Sequence, residues 1–181
     1  MTLSTLAIII GVVFSIPQIY ALANPKGFAA GARQFPRNET VGFVLMGIGT
    51  LWFLNNLNHE AIADFAAYKK LMLGGFGLLG LLTCIFVRDY LAVRGLAVCL
   101  LLSAWVTLNY TRWAQSEWRL VLVIWAYFWI LAGMWFTVNP WKLRDYINWM
   151  TASEKRIRVS SAIRLCLGVI VIVLGATAFR K

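Results

Sequence analysis

Leu120-Val-Leu-Val-Ile-Trp-Ala-Tyr-Phe-Trp-Ile-Leu-Ala-Gly-Met-Trp-Phe-Thr-Val-Asn-Pro-Trp141 carries no charge from end to end. A helix rises 1.5 Å per residue, so about 20 apolar residues match the roughly 30 Å hydrocarbon core of a bilayer. The run lacks the polar/apolar alternation of a membrane barrel strand, and open strands cannot satisfy their backbone groups in lipid. It reads as a transmembrane helix. Working outward, five more runs share its character: residues 1–25, 40–58, 71–87, 95–111 and the stretch from Arg164 to Phe179.

The expected fold is therefore an all-α integral membrane protein with six transmembrane helices, a single polytopic domain over 1–181. The expected spans are 3–23, 41–57, 71–87, 94–111, 120–138 and 159–179. The last begins near Val159, with Arg164 snorkelling toward the headgroups. Composition agrees: 61% of the 181 residues are hydrophobic and 13% charged, against roughly 25% charged in a soluble domain. Ala21-Leu22-Ala23 looks like a signal-peptidase site, but no basic n-region precedes it, so the first run reads as a retained span.

Seventeen Lys and Arg against seven Asp and Glu give a formal charge of +10. Lys26, Arg33, Arg37, Arg88, Arg94, Lys142, Arg144, Lys155, Arg156, Arg158 and Arg164 fall on one side of the spans, and Lys69, Lys70, Arg112, Arg119, Arg180 and Lys181 on the other. The positive-inside rule makes the eleven-charge side cytoplasmic and leaves both termini outside, with a bacterial inner membrane as the expected location. Anionic headgroups account for the basic excess, so the expected partners are membrane lipids and other membrane subunits, with no nucleic acid.

At an offset of 115, Asn24-Pro25 falls on Asn139-Pro140, Glu39 on Glu154, and Phe28, Ala32, Phe35 on Leu143, Ile147, Met150. In each copy Asn-Pro ends a span, because proline removes a ladder hydrogen bond and restricts the residue before it. A stripe at i, i+4, i+7 follows, the spacing of one helical face. Each reads as a short cytoplasmic amphipathic helix with its apolar face in the acyl boundary, the second copy helped by Trp141, Tyr146 and Trp149. As a duplication, the echo would equate spans one and two with spans five and six, leaving spans three and four as an insert.

The unit of apolar helix, Pro, basic amphipathic loop and second helix, carried by Asn139-Pro140-Trp141 through Glu154-Lys155-Arg156-Ile157-Arg158 to Gly168, resembles small two-helix inner-membrane proteins of unknown function. That resemblance implies a topology without an activity. Phe14-Ser15-Ile16-Pro17-Gln18-Ile19-Tyr20, with Leu51-Trp52 in the next helix, is similar to the Pro-Gln element of PQ-loop carriers. It implies a helix kink at Pro17 and Gln18 and three-helix repeats, yet span four has no proline, and the 115-residue echo pairs span one with span five.

The carboxylates Glu39, Glu60, Asp64, Asp89, Glu117, Asp145 and Glu154 all lie in loops or at span boundaries. Proton pumps and intramembrane hydrolases place ionisable groups at depth, so no enzymatic or catalytic residue is expected. His59 is the only histidine, and Trp125 and Trp129 sit four apart inside span five. These three are the candidate cofactor residues, suited to a quinone or pigment, with a solvated helix-end histidine and ordinary ring packing as the alternatives. No metal is expected. Cys84, Cys99 and Cys166 read as small buried apolar residues. Gly74, Gly75, Gly77 and Gly80 crowd span three and predict it as the central helix of the bundle. The expected function is a non-enzymatic accessory or scaffolding subunit of a larger membrane complex. The alternatives are a small-solute carrier of PQ-loop type and a quinone- or pigment-binding subunit.

Overall fold

The structure, a computed structural model, describes residues 2–60 and 66–179. Among them every regular element is helical: α1 (Leu3–Ala23), α2 (Pro25–Gln34), α3 (Glu39–His59), α4 (Lys69–Phe86), α5 (Leu91–Arg112), α6 (Arg119–Val138), α7 (Trp141–Met150) and α8 (Glu154–Ala176). Six helices, all but α2 and α7, are long and apolar enough to cross a membrane. Met1, Asp64, Arg180 and Lys181, which enter the span and charge readings, lie outside the described residues.

The helices begin and end where local chemistry dictates. Thr2 accepts from the Thr5 amide to start α1, Asn38 from Val41 to start α3, and Ser153 from Arg156 to start α8. Such caps satisfy amides that have no intrahelical partner. Asn24 closes α1 by donating its amide to the Tyr20 carbonyl, and its side chain accepts from Gly27 in the first turn of α2. The last long helix starts at Glu154, five residues before the expected span. The Ser153 cap and the acidic Glu154 in the first turn favour a helical start, and the basic residues Lys155, Arg156 and Arg158 extend the helix beyond its apolar part.

The offset of 115 holds through the secondary structure. It lays α1 over α6, α2 over α7 and α3 over α8 to within two residues at each end. Cap Asn38 falls on cap Ser153, and the closing bond from Asn24 to Tyr20 falls on the one from Asn139 to Trp135, both 2.8 Å. Buried positions coincide as well: Ala7 with Leu122, Gly11 with Ala126, Gln18 with Gly133, Pro25 with Pro140, Gly42 with Ile157 and Met46 with Ser161.

The chain divides into two compact units. The first comprises Met1–Gln34, Ser103–Ile130 and Arg144–Lys181. Its centre is the pair α1 and α8, which run antiparallel: Ala7 and Ile8 meet Gly175, whereas Gly11 and Ser15 meet Gly168. Close approach requires glycine here, because a Cβ at Gly11 would lie 2.8 Å from the Gly168 carbonyl oxygen and one at Gly175 would lie 2.9 Å from the Ile8 side chain. Leu6, Ala7, Ile10, Leu122, Val171 and Phe179 form the buried core of this unit.

The second unit comprises Phe35–Leu102 and Leu131–Leu143. In it α3 and α5 lie parallel, Gly42 against Leu91 and Ala92, Gly95 against Leu45 and Met46, and Gly49 against Val98. The other face of α3 carries α4, through Thr50 on Gly80, Leu54 on Gly77 and an edge-to-face pair of Phe53 and Phe76 with centroids 5.1 Å apart.

Three expectations are corrected. Span three, α4, is not central: none of its residues is buried, and Gly74 and Gly75 have no neighbouring atom within 4 Å of an added Cβ. Close packing falls chiefly to glycines of α1, α3, α5 and α8, which meet Ser15, Ile8 or a facing glycine in the first unit and Leu45, Leu91 or Val98 in the second. The stripe Leu143, Ile147 and Met150 on α7 is buried by the chain itself and so does not face an acyl boundary, while Trp141 and Trp149 stay exposed and Phe28 and Phe35 are half-buried. Finally, Cys84 and Cys99 are half-buried and Cys166 is exposed, so none is a core residue.

Candidate functional site

The first unit gathers most of the candidate residues. On α6, Trp125 and Trp129 meet edge to face with centroids 6.3 Å apart, and Phe14 of α1 completes the cluster 4.7 Å from Trp125. This geometry places a positive ring edge on a negative face. Trp125 and Trp129 pack onto the buried core of the unit. Trp125 Nε1 is buried without a hydrogen-bond partner among the described residues.

Pro17 sits inside α1 and is exposed, and the helix continues through it to Ala23. Next to it Gln18 is 5% exposed, and its Oε1 has no hydrogen-bond partner among the described residues; the same holds for the Oγ atoms of Ser15 and Ser161. Leaving a buried polar group unpaired costs about 1 to 3 kcal/mol, and buried groups are otherwise nearly always bonded. The buried Thr107, by contrast, donates its hydroxyl to the Ser103 carbonyl at 2.8 Å. Ser161 falls inside the expected sixth span, but a serine flanked by Arg158 and Arg164 carries no sequence signal that it is buried.

His59 belongs to the second unit. It is exposed at the end of α3, with Nδ1 2.7 Å from the Asn55 carbonyl. Among the described residues no group of three His, Cys, Asp or Glu side chains is placed to hold a metal. In the same unit Arg37, Glu39, Arg88, Asp89 and Tyr90 line a cavity of about 440 Å³. Asp89 and Tyr90 form a turn closed by the Leu91 amide donating to the Arg88 carbonyl, with Tyr90 at φ 56°, a left-handed conformation uncommon outside glycine.

The loop helices of the first unit carry its polar ties. Arg33 of α2 donates to Thr151 twice, from Nε to Oγ1 at 2.9 Å and from Nη2 to the carbonyl at 2.8 Å, and Lys26 lies 3.7 Å from Glu154. Arg156 in the first turn of α8 lies over the Trp149 ring at 5.6 Å, and Arg164 near the middle of α8 lies over the Tyr146 ring at 5.7 Å, the two rings being stacked at 28°. Arg164 also donates to the Tyr146 hydroxyl and to Met150 Sδ. A further cavity of about 790 Å³ is lined by Thr2, Leu3, Gln115, Glu117, Trp118 and Phe179, at the ends of helices and not at their middles.

Comparison with protein-family models, with curated proteins and with solved structures finds no match to this chain.

Proposed function

We propose that this protein is a non-enzymatic integral membrane protein, an accessory or scaffolding subunit of a larger assembly in a bacterial inner membrane. On this reading both termini lie outside the cytoplasm, and the segments 1–59 and 119–176 descend from one duplicated helix–loop–helix unit like that of the small two-helix inner-membrane proteins. One observation carries the subunit reading. The apolar stretch Ala66–Phe86 has no buried residue, and the open side of Gly74 and Gly75 leaves room for another helix backbone. Small residues permit the close approach from which helices in lipid gain dispersion energy. Purification in a mild detergent tests it: stoichiometric membrane companions are expected with the wild-type chain and not with Gly75→Leu. A wild-type chain that purifies free of companions sinks the subunit reading.

A small-solute carrier is the second reading, favoured by the buried, unpaired Ser15, Gln18 and Ser161. A carrier's midplane must offer polar partners to its solute. Saturable uptake of sugars or amino acids by proteoliposomes containing this protein alone would promote that reading over the first.

A further inference from the structure

The pair of guanidiniums stacked on Tyr146 and Trp149 is not needed by the framework that holds it. At the offset of 115 the residues equivalent to Tyr146, Trp149, Arg156 and Arg164 are Gly31, Gln34, Val41 and Gly49. There the same order of short helix, cap and long helix forms with neither a ring nor a cation at these four positions. The four side chains are thus particular to the second segment.

Their chemistry is specific. Neither Arg156 nor Arg164 forms an ion pair with any carboxylate among the described residues, although Arg144 and Lys26 do. Both lie over rings; Arg156 donates from Nη1 to the Trp149 carbonyl at 3.4 Å and Arg164 from Nη2 to Tyr146 and Met150, contacts that orient each guanidinium, while their other N–H groups have no hydrogen-bond partner among the described residues. Trp149 is 62% and Tyr146 45% exposed, so the platform faces away from the core. Along α8, Arg164 is followed by the uncharged run Leu165 to Ala176. An anion reaching the two arginines must be tolerated beside apolar helix surface, and an anionic diester on an acyl glycerol has this composition. Planar guanidiniums bind phosphate oxygens in a bidentate manner, and Tyr and Trp rings favour the headgroup level.

We propose that Tyr146, Trp149, Arg156 and Arg164 form a binding site for the headgroup of an anionic phospholipid. The arginines hold the phosphate, and the two rings hold the glycerol region. The site rests on the membrane reading given above but not on the subunit reading.

The test is native mass spectrometry of the full chain released from nanodiscs of phosphatidylglycerol mixed with phosphatidylcholine. Wild-type protein is expected to retain phosphatidylglycerol. Arg156→Gln and Arg164→Gln each weaken retention by about tenfold, as expected for loss of one charge-assisted hydrogen-bonding group. The double variant Lys26→Gln/Arg37→Gln removes two charges elsewhere, against one in each single variant, and is expected to keep wild-type retention. Equal loss in that control would reduce the effect to diffuse charge and overturn the site. Equal retention of phosphatidylcholine, or displacement of the lipid by millimolar inorganic phosphate, would overturn the assignment to an anionic lipid. Alkaline extraction of membranes is run beside it: a wild-type chain released into the supernatant rejects the membrane reading itself, whereas retention in the pellet with no bound lipid rejects only the site.

Discussion

Arg33 and Thr151 lie 118 positions apart in the chain and are joined by two hydrogen bonds, one to the side chain and one to the backbone. The bonds tie α2, which follows the first long helix, to the turn between α7 and α8. Thr151 Oγ1 also donates to the Ile147 carbonyl, so the threonine is itself fixed to the end of α7.

Arg33→Ala removes both bonds and leaves the Thr151 carbonyl without this donor. A net hydrogen bond is worth about 0.5 to 1.5 kcal/mol, and those made by charged groups about 1.5 to 3. The expected loss is about 2 kcal/mol, seen as a lower midpoint of thermal unfolding in detergent. Thr151→Val, which keeps the carbonyl partner, is expected to lose less. Equal stability of wild type and Arg33→Ala would show that the tie carries no load.

Gly168→Val is expected to separate α1 from α8, since even a single added carbon at Gly168 meets the Ser15 hydroxyl. Overpacking costs about 1 to 3 kcal/mol. Gly74→Ala, on the open side of α4, should be neutral or stabilising by up to about 1 kcal/mol from helix propensity. Yield of monodisperse protein and unfolding midpoint measure both, and a destabilised Gly74→Ala would contradict the peripheral placing of α4.

Gln18→Leu replaces a buried amide whose oxygen has no partner. Removing the unpaired group favours the folded state by about 1 kcal/mol, less any strain from reshaping the α1 surface. A raised unfolding midpoint with unchanged co-purification is the expected outcome. Saturable solute uptake that this substitution abolishes would instead assign the amide to a transport path.

The orientation has its own measurement. In a background without Cys84, Cys99 and Cys166, single cysteines at Asn38 and Ser153 should resist an impermeant thiol reagent applied to intact cells, and one at Ser116 should react. Reaction at both Asn38 and Ser153 would invert the topology.

Hydropathy and the two Asn-Pro pairs made the long helices, the short helices and the 115-residue offset legible, because these are local signals: an uncharged run of given length, a residue that cannot donate, a periodic stripe. What covers a surface is not local. The stripe Leu143, Ile147 and Met150 was readable as an apolar face, but period alone cannot distinguish burial against protein from burial in lipid. The glycines of α4 misled for a related reason, since a tight helix contact depends on the facing residue, as Gly11 shows against Gly168. Of the candidate site, the Trp125–Trp129 contact followed from spacing on one helix. Neither the Phe14 ring beside it nor the tie from Arg33 to Thr151 leaves any mark in the sequence, because residues so far apart share no pattern.

The antiparallel pairing of α1 with α8 joins two helices that leave the ribosome far apart in time, since α1 ends at Ala23 and α8 begins only at Glu154. At translation rates of about 5 to 20 residues per second, the synthesis of everything from Asn24 to Ala176 leaves α1 without this partner for roughly 8 to 30 seconds. During that interval its small-residue face and the polar groups of Ser15 and Gln18 lack their final cover. A nascent chain arrested before α8 should therefore be the form most readily captured by membrane chaperones and proteases, and extending it past Ala176 should end that vulnerability.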